Sequence, residues 1–149
     1  MQPNKKFITI SDNLKEEGDS LSLSMFSRAD LLLFRNQYDK ALLTLDSISQ
    51  KFQNTSLADD ILYKKYQIKM KLGKFTEASE QLQKILDNYS YDILGDDAMF
   101  KLAELNELYL NNTEKAKQLY EDLLTKFPGS LYTVEDRKRF RKLRGDSVN

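Results

Sequence analysis

From Leu21 onward the apolar residues recur at spacings of three and four, the period of a helix with one buried face. Leu23, Phe26, Leu33 and Phe34, with Ala29 and Leu31 between them, mark a first helix. Asn36-Gln37 interrupts it, and Tyr38, Ala41, Leu42, Leu45, Ile48 and Phe52 mark a second that ends before Asn54-Thr55-Ser56. The two read as a helical hairpin. Ala58 to Leu72 and Phe75 to Tyr89 form another, with Gly73 at the turn, free to take the positive φ that a helix C-terminus favours. Gly95 to Leu110 and Thr113 to Phe127 form a third, where Asn111-Asn112 replaces the glycine because asparagine tolerates the left-handed conformation. Beyond Pro128-Gly129-Ser130 a seventh stretch, 131–144, has Leu131, Val134, Phe140 and Leu143 as its apolar side and no helix after it.

The hairpins repeat in register. Ala41, Ala78 and Ala116 stand at matched points, separated by 37 and then 38 residues, and Phe52, Tyr89 and Phe127 each follow eleven residues later. Ser56-Leu57-Ala58-Asp59-Asp60-Ile61-Leu62-Tyr63 returns 37 residues on as Ile93-Leu94-Gly95-Asp96-Asp97-Ala98-Met99-Phe100. A period of this length in a helical pattern predicts a stacked solenoid, because each hairpin buries its apolar face only against a neighbour. The extra residue of the third period falls in the Asn turn, where an insertion leaves the stack intact. Leu131, 37 residues after Leu94, is expected to open a capping helix that closes the last apolar face. The predicted organisation is a flexible polar arm over 1–20, repeats over about 21–54, 57–91 and 94–129, a cap helix over 131–144 and a disordered tail over 147–149.

These residues resemble the tetratricopeptide repeat. Ala29 and Ala103 fill its small position in the first helix, Ala41, Ala78 and Ala116 that of the second, Tyr38 and Phe75 the turn aromatic, and Pro128 the trailing proline. The match covers about 21–144 and implies an all-α solenoid of three hairpins plus a C-terminal capping helix, about seven helices in a right-handed superhelix. Tyr66 departs from the pattern at a small position, and Lys69 and Asn106 at positions usually aromatic or aliphatic. The long period and the Leu-Ala-Asp-Asp entry look most like tetratricopeptide-like proteins of the bacterial cell envelope, of the outer-membrane assembly lipoprotein and cell-division coordinator type. The ending looks like the C-terminus of a larger repeat protein. On that likeness the compartment would be periplasm or envelope, and otherwise cytoplasm.

Composition narrows the chemistry. Twenty-three basic residues balance twenty-three acidic ones, so no overall field draws the chain to nucleic acid or an anionic membrane. The absence of Cys and His removes thiol nucleophiles, imidazole bases and the usual zinc ligands. Phe7-Ile8-Thr9-Ile10 is too short for a signal-peptide core, although it suits a short extended segment. No catalytic constellation, cofactor motif, metal site or small-molecule site is read, and no apolar run is long enough to span a membrane. Asp59-Asp60 and Asp96-Asp97 stand at helix starts, where carboxylates complement the macrodipole and accept orphan amide protons.

Surface is what remains, and the expected partner is a protein or peptide, or a second copy of the chain. The resemblance implies a peptide or partner helix lying along the concave face formed by the first helices. That face would present Phe26, Asp30 and Leu33, then Tyr63, Gln67 and Met70, then Phe100, Glu104 and Glu107. The ladder Phe26, Tyr63, Phe100 serves equally as packing between neighbouring first helices. As a groove, its acids, Asp60 among them, would favour a partner carrying Lys or Arg. A basic patch, Arg137, Lys138, Arg139, Arg141, Lys142 and Arg144, reads first as a solvated cap whose cations offset the helix dipole. Nucleic acid, anionic lipid or an acidic partner rank behind that. Two rival readings of the whole are a terminal structural module of a longer repeat protein and self-association through an apolar first helix, at Leu31, Leu32, Leu33 and Phe34.

Overall fold

The computed structural model describes residues 10–53, 55–89 and 94–146. Seven α-helices and no strand occur among them: α1 Ile10–Phe34, α2 Tyr38–Lys51, α3 Ala58–Lys71, α4 Phe75–Tyr89, α5 Gly95–Leu108, α6 Thr113–Lys126 and α7 Thr133–Arg144. The fold is the all-α helical repeat that the periodicity predicts. No helix among the described residues is long and apolar enough to cross a membrane.

The turns inside the three hairpins share one device. Asn36, Gly73 and Asn111 each take positive φ, at 60°, 72° and 52°. In the first two, an amide just past the turn reaches back five residues, Gln37 to the Leu32 carbonyl and Lys74 to that of Lys69. In the third, Asn112 reaches back six, to Asn106. The additional residue of the third period therefore lies in this turn, as the sequence indicates.

The chain divides into two compact units, 1–61 and 62–149. In the first, α1 packs on α2, with Ala29 and Leu32 on one helix and Ala41, Leu45 and Ile48 on the other buried. α1 begins eleven residues before the predicted start at Leu21, so residues 10–20 are helical where a flexible arm is expected. The physical reason is contact with the segment that follows α2: the Phe52 ring lies against the backbone at Gly18, and Ser22 is buried, donating to the Asp19 carbonyl at 2.9 Å and accepting from Thr55 at 3.3 Å. The rest of the expected arm, with nearly all of the 7–10 segment, and the expected tail at 147–149 lie outside the described residues.

In the second unit one apolar core runs from α3 to α6. Ala78 and Ala116, Leu82 and Tyr120, and Ile85 and Leu123 are equivalent pairs 38 residues apart, and all six are wholly buried. Tyr66 belongs to this core, its ring 5.3 Å from that of Tyr63, so a phenol fills the place where repeat one has Ala29. Asn106 is buried because its amide donates to the Leu102 carbonyl at 2.8 Å within the helix, and Lys69 pairs with Glu77 at 3.6 Å.

α7 differs from expectation in register. It starts at Thr133, 38 residues after Gly95, and the expected apolar residues Leu131 and Val134 are 98% and 76% exposed. With the shift, Phe140 and Leu143 fall at the positions of Leu102 and Leu105 and pack against the core beside Tyr132. The insertion in the Asn turn displaces everything after it, the cap included.

Candidate functional site

The start of α5 is the first functional cluster, and it does more than cap a helix. Asp96 Oδ1 accepts from the Asp97 amide at 2.9 Å, in keeping with the helix-start role, and Asp59 does the same for Asp60. Asp96 Oδ2 accepts from the Ser130 hydroxyl at 2.6 Å. Asp97 is used otherwise: Oδ1 accepts from the Tyr63 hydroxyl at 2.5 Å and Oδ2 from that of Tyr132. One carboxylate thus ties α3, α5 and the approach to α7 together. Burial and then the bond to Asp97 hold the Tyr63 phenol far above its ordinary value, and the same bond does so for Tyr132. Sequence reasoning missed this clasp; a tyrosine on either side of Asp97, at 34 and 35 residues, was the available signal.

Arg139 makes the second cluster. Its guanidinium lies 3.3 Å from Glu104, 3.4 Å from Glu107 and 3.0 Å from Glu135. It also donates to the Tyr120 hydroxyl, which in turn donates to Glu107 at 2.6 Å. Below it is Phe100, with the guanidinium carbon 5.6 Å from the ring centroid. Phe100 is buried, stacked on Tyr132 at 4.6 Å and tilted against Tyr120 at 5.9 Å. Burial alone pulls the Arg139 cation down, and its bonds to Tyr120 and Glu135 outweigh that and raise it. Arg139 is therefore the interior member of the basic run, joined to acids rather than solvated.

Of the nine residues expected on the first-helix face, Phe26, Asp30 and Leu33 lie on α1 in the first unit, Asp30 exposed and the other two half-buried. The other six lie in the second unit. Tyr63 and Met70 pack against its core, and Gln67 is half-buried. Phe100 is core, the packing alternative for that rung of the ladder, and Glu104 and Glu107 face Arg139. By the 38-residue shift, Lys138 and Lys142 of α7 occupy the positions of Phe100 and Glu104. They line a cleft of about 470 Å³ between α5 and α7, with Glu107, Leu108, Glu135, Arg139 and Asp146. Leu108 is 55% exposed there. The cleft acids Glu107 and Glu135 pair with Arg139, and Asp146 with Arg144, whereas among the described ion pairs Lys138 and Lys142 have no part. Arg137 and Arg141 are exposed on the outer side of the same helix.

The described residues hold no group of three His, Cys, Asp or Glu side chains placed to bind a metal. What the arrangement offers is a cleft with one exposed leucine, Leu108, and two lysines four residues apart.

The family model described as Tetratricopeptide repeat matches residues 97–130. No curated protein matches the chain. Among solved structures, the tetratricopeptide domain of Arabidopsis OM64 is similar at 15% identity and a TM-score of 0.63, over 84% of this chain and 98% of that one. A tetratricopeptide repeat protein from Parabacteroides merdae is similar at 17% identity and 0.68, over 91% of this chain and 50% of that one, so the chain spans half of that protein's length. The second tetratricopeptide domain of human RPAP3, solved in complex with the HSP70 peptide SGPTIEEVD, is similar at 18% identity and 0.63, over 87% and 99%. With three left-handed turns at matched points and alanines buried in register, the chain has the fold of these tetratricopeptide-repeat domains, and the segment 97–130 matches the repeat itself.

Proposed function

We propose that this protein is a non-catalytic interaction module that holds an acidic peptide segment of a partner protein in the cleft between α5 and α7. The observation that carries this reading is the charge left over in that cleft. Glu104 and Glu107, which by themselves favour a basic partner, already face Arg139, while Lys138 and Lys142 stand exposed beside Leu108. A peptide carboxylate set against the two lysines and an apolar side chain on Leu108 would satisfy both features, with the apolar anchor supplying most of the energy. The RPAP3 domain, whose peptide carries three acidic side chains, supports the chemistry without bearing on the location.

The test is selection from a random peptide library on the immobilised wild-type protein, followed by titration of enriched peptides against Lys138→Glu/Lys142→Glu. Enriched peptides are expected to be acidic and to lose at least tenfold in affinity for the double variant, which stays folded because both lysines are exposed. Peptides that are basic, or that bind the variant equally well, refute the reading.

A second reading rests on α1. Phe34 is 84% exposed and Leu23 54%, and eleven residues place them on one face of a helix at about 3.6 residues per turn. Pairing of two copies through this face predicts a concentration-dependent dimer that survives high salt and that Phe34→Asp abolishes. Light scattering that finds a monomer at all concentrations removes it.

A further inference from the structure

α7 buries one side chain completely, and that side chain is an acid. The Asp136 amide donates to the Tyr132 carbonyl at 2.8 Å, as Ala98 does to Leu94 and Ile61 to Leu57, so these three residues hold equivalent places in the first turns of their helices. Ile61 and Ala98 are apolar and buried, as the position requires; Asp136 is 0% exposed, and neither of its carboxylate oxygens has a hydrogen-bond partner. An ionised carboxylate in such a place lacks both water and a counter-charge, whereas the protonated form carries no net charge to solvate. Burial accordingly pushes the Asp136 carboxyl up to about 7, with Arg137 next to it pulling the other way.

None of the charged groups on the elements around it is hydrogen-bonded to Asp136, and those that form the ion pairs and hydrogen bonds nearby are joined to one another. On α7, Glu135 and Arg139 pair with each other. On α6, which packs on α7, the buried phenol is Tyr120, bonded to Glu107. On α5, Asp96 and Asp97 accept from Ser130, Tyr63 and Tyr132. The sequence contains neither histidine nor cysteine, so apart from the terminal amine no group at its ordinary value titrates between pH 5 and 8.

We propose that Asp136 makes the docking of α7 onto α6 proton-dependent, so that the cap is held firmly when this carboxyl is protonated and loosens when it ionises. Because Lys138, Arg139 and Lys142 form the α7 wall of the cleft, loosening the cap also weakens peptide binding there; this consequence rests on the cleft reading, while the latch does not. The direction follows from linkage. Undocked, the carboxyl titrates at its ordinary value of 3.8; docked, at about 7. The stabilisation is complete below the lower value and is lost as pH rises toward and through the higher one. The opening equilibrium of α7 should therefore rise roughly tenfold or more between pH 5 and pH 8.

Hydrogen exchange resolved to α7, corrected for intrinsic rates, measures this opening on the full chain. Wild type should lose α7 protection across that range relative to α5, while Asp136→Asn and Asp136→Ala, the residue of position 98, should show protection independent of pH. Equal pH dependence in wild type and either folded variant, or no dependence in wild type, overturns the latch and leaves the cleft reading untouched. The library-selected acidic peptides supply the second readout, with binding expected to weaken toward pH 8 in wild type and to stay level in Asp136→Ala. If α7 protection changes as expected but no peptide binds at any pH, the latch stands and the cleft reading fails.

Discussion

Arg139→Met tests the central packing argument, because the methionine keeps most of the arginine's stem and removes its charge. The guanidinium meets Glu104 and Glu107 at 3.3 and 3.4 Å, and those side chains retain only 26% and 11% of their exposure. Removing one partner of a buried ion pair costs about 3–5 kcal/mol, while an exposed pair is worth at most about 1. Glu107 falls near the first limit and Glu135, half exposed, near the second. Water can still reach Glu104, so we expect a net loss of about 2–3 kcal/mol and a fall in melting temperature of roughly 5–10 °C for a chain of this size. Urea unfolding followed by far-ultraviolet circular dichroism reads the loss. Arg141→Met, on the exposed side of the same helix, is the control and should change stability by less than about 0.5 kcal/mol. Adding Glu107→Gln to Arg139→Met should restore about 1 kcal/mol, since it removes the charge left stranded. If Arg139→Met costs no more than Arg141→Met, the arginine is a surface cation and the account of the acidic face is wrong.

Other outcomes follow from the same contacts. In a phenolate absorbance titration, Tyr66 should ionise at about 12 and Tyr63, Tyr120 and Tyr132 later still. Their raised values stabilise the fold below pH 10, a contribution lost as pH climbs through the folded-state values, and eight tyrosines titrating together near 10 would contradict the clasp. Tyr132→Phe should cost about 1 kcal/mol in urea unfolding, the usual worth of one hydrogen bond, and a neutral result would mean that Asp97 does not join α3 to α7. Gly73→Ala should cost about 1 kcal/mol because its φ of 72° is strained for any side chain, whereas Asn111→Gly should be neutral or slightly stabilising. Leu131→Asp and Val134→Asp should leave the melting temperature unchanged, while Phe140→Ala lowers it.

The fold was legible because repetition checks every reading more than once. Ala41, Ala78 and Ala116 are wholly buried, and three left-handed turns stand where Asn or Gly breaks the pattern. The site was less legible, for a reason that lies in how side chains find partners. Periodicity reports which face a residue lies on, and it placed Glu104, Glu107 and Phe100 on one face of α5. It does not report what arrives from 30 or more residues away. Arg139 reaches Glu107 across 32 positions and Tyr132 reaches Asp97 across 35, and each turns a surface carboxylate into a fixed joint. The extension of α1 through residues 10–20 escaped for a related reason: its polar composition carries no helical stripe, and the contacts that hold it, Gly18 with Phe52 and Ser22 with Thr55, are again remote in sequence.

The cap shows how one inserted residue decides what a helix becomes. Measured from Leu94 at 37 residues, Leu131 opens α7 with its apolar side chain inward; measured at 38, the step that Ala78 to Ala116 already requires, Tyr132 holds that place and Leu131 points to solvent. The corrected register also settles which residues stand where a following helix would pack. In α5, Met99, Ala103 and Asn106 are buried; at the same places in α7 stand Arg137, Arg141 and Arg144, all exposed. Docking another apolar helix there would strip water from three guanidinium groups, a cost of several kcal/mol for each without a counter-charge. On this reasoning the exposed arginines of the basic run would resist stacking of an apolar helix on their side of α7, while Lys138 and Lys142 line the cleft. A variant carrying Arg137→Met, Arg141→Ala and Arg144→Asn recreates the α5 surface and should associate through α7 in light scattering at concentrations where the wild-type α7 surface does not. If the triple variant shows no more association than wild type, charge is not what keeps this face of α7 from associating.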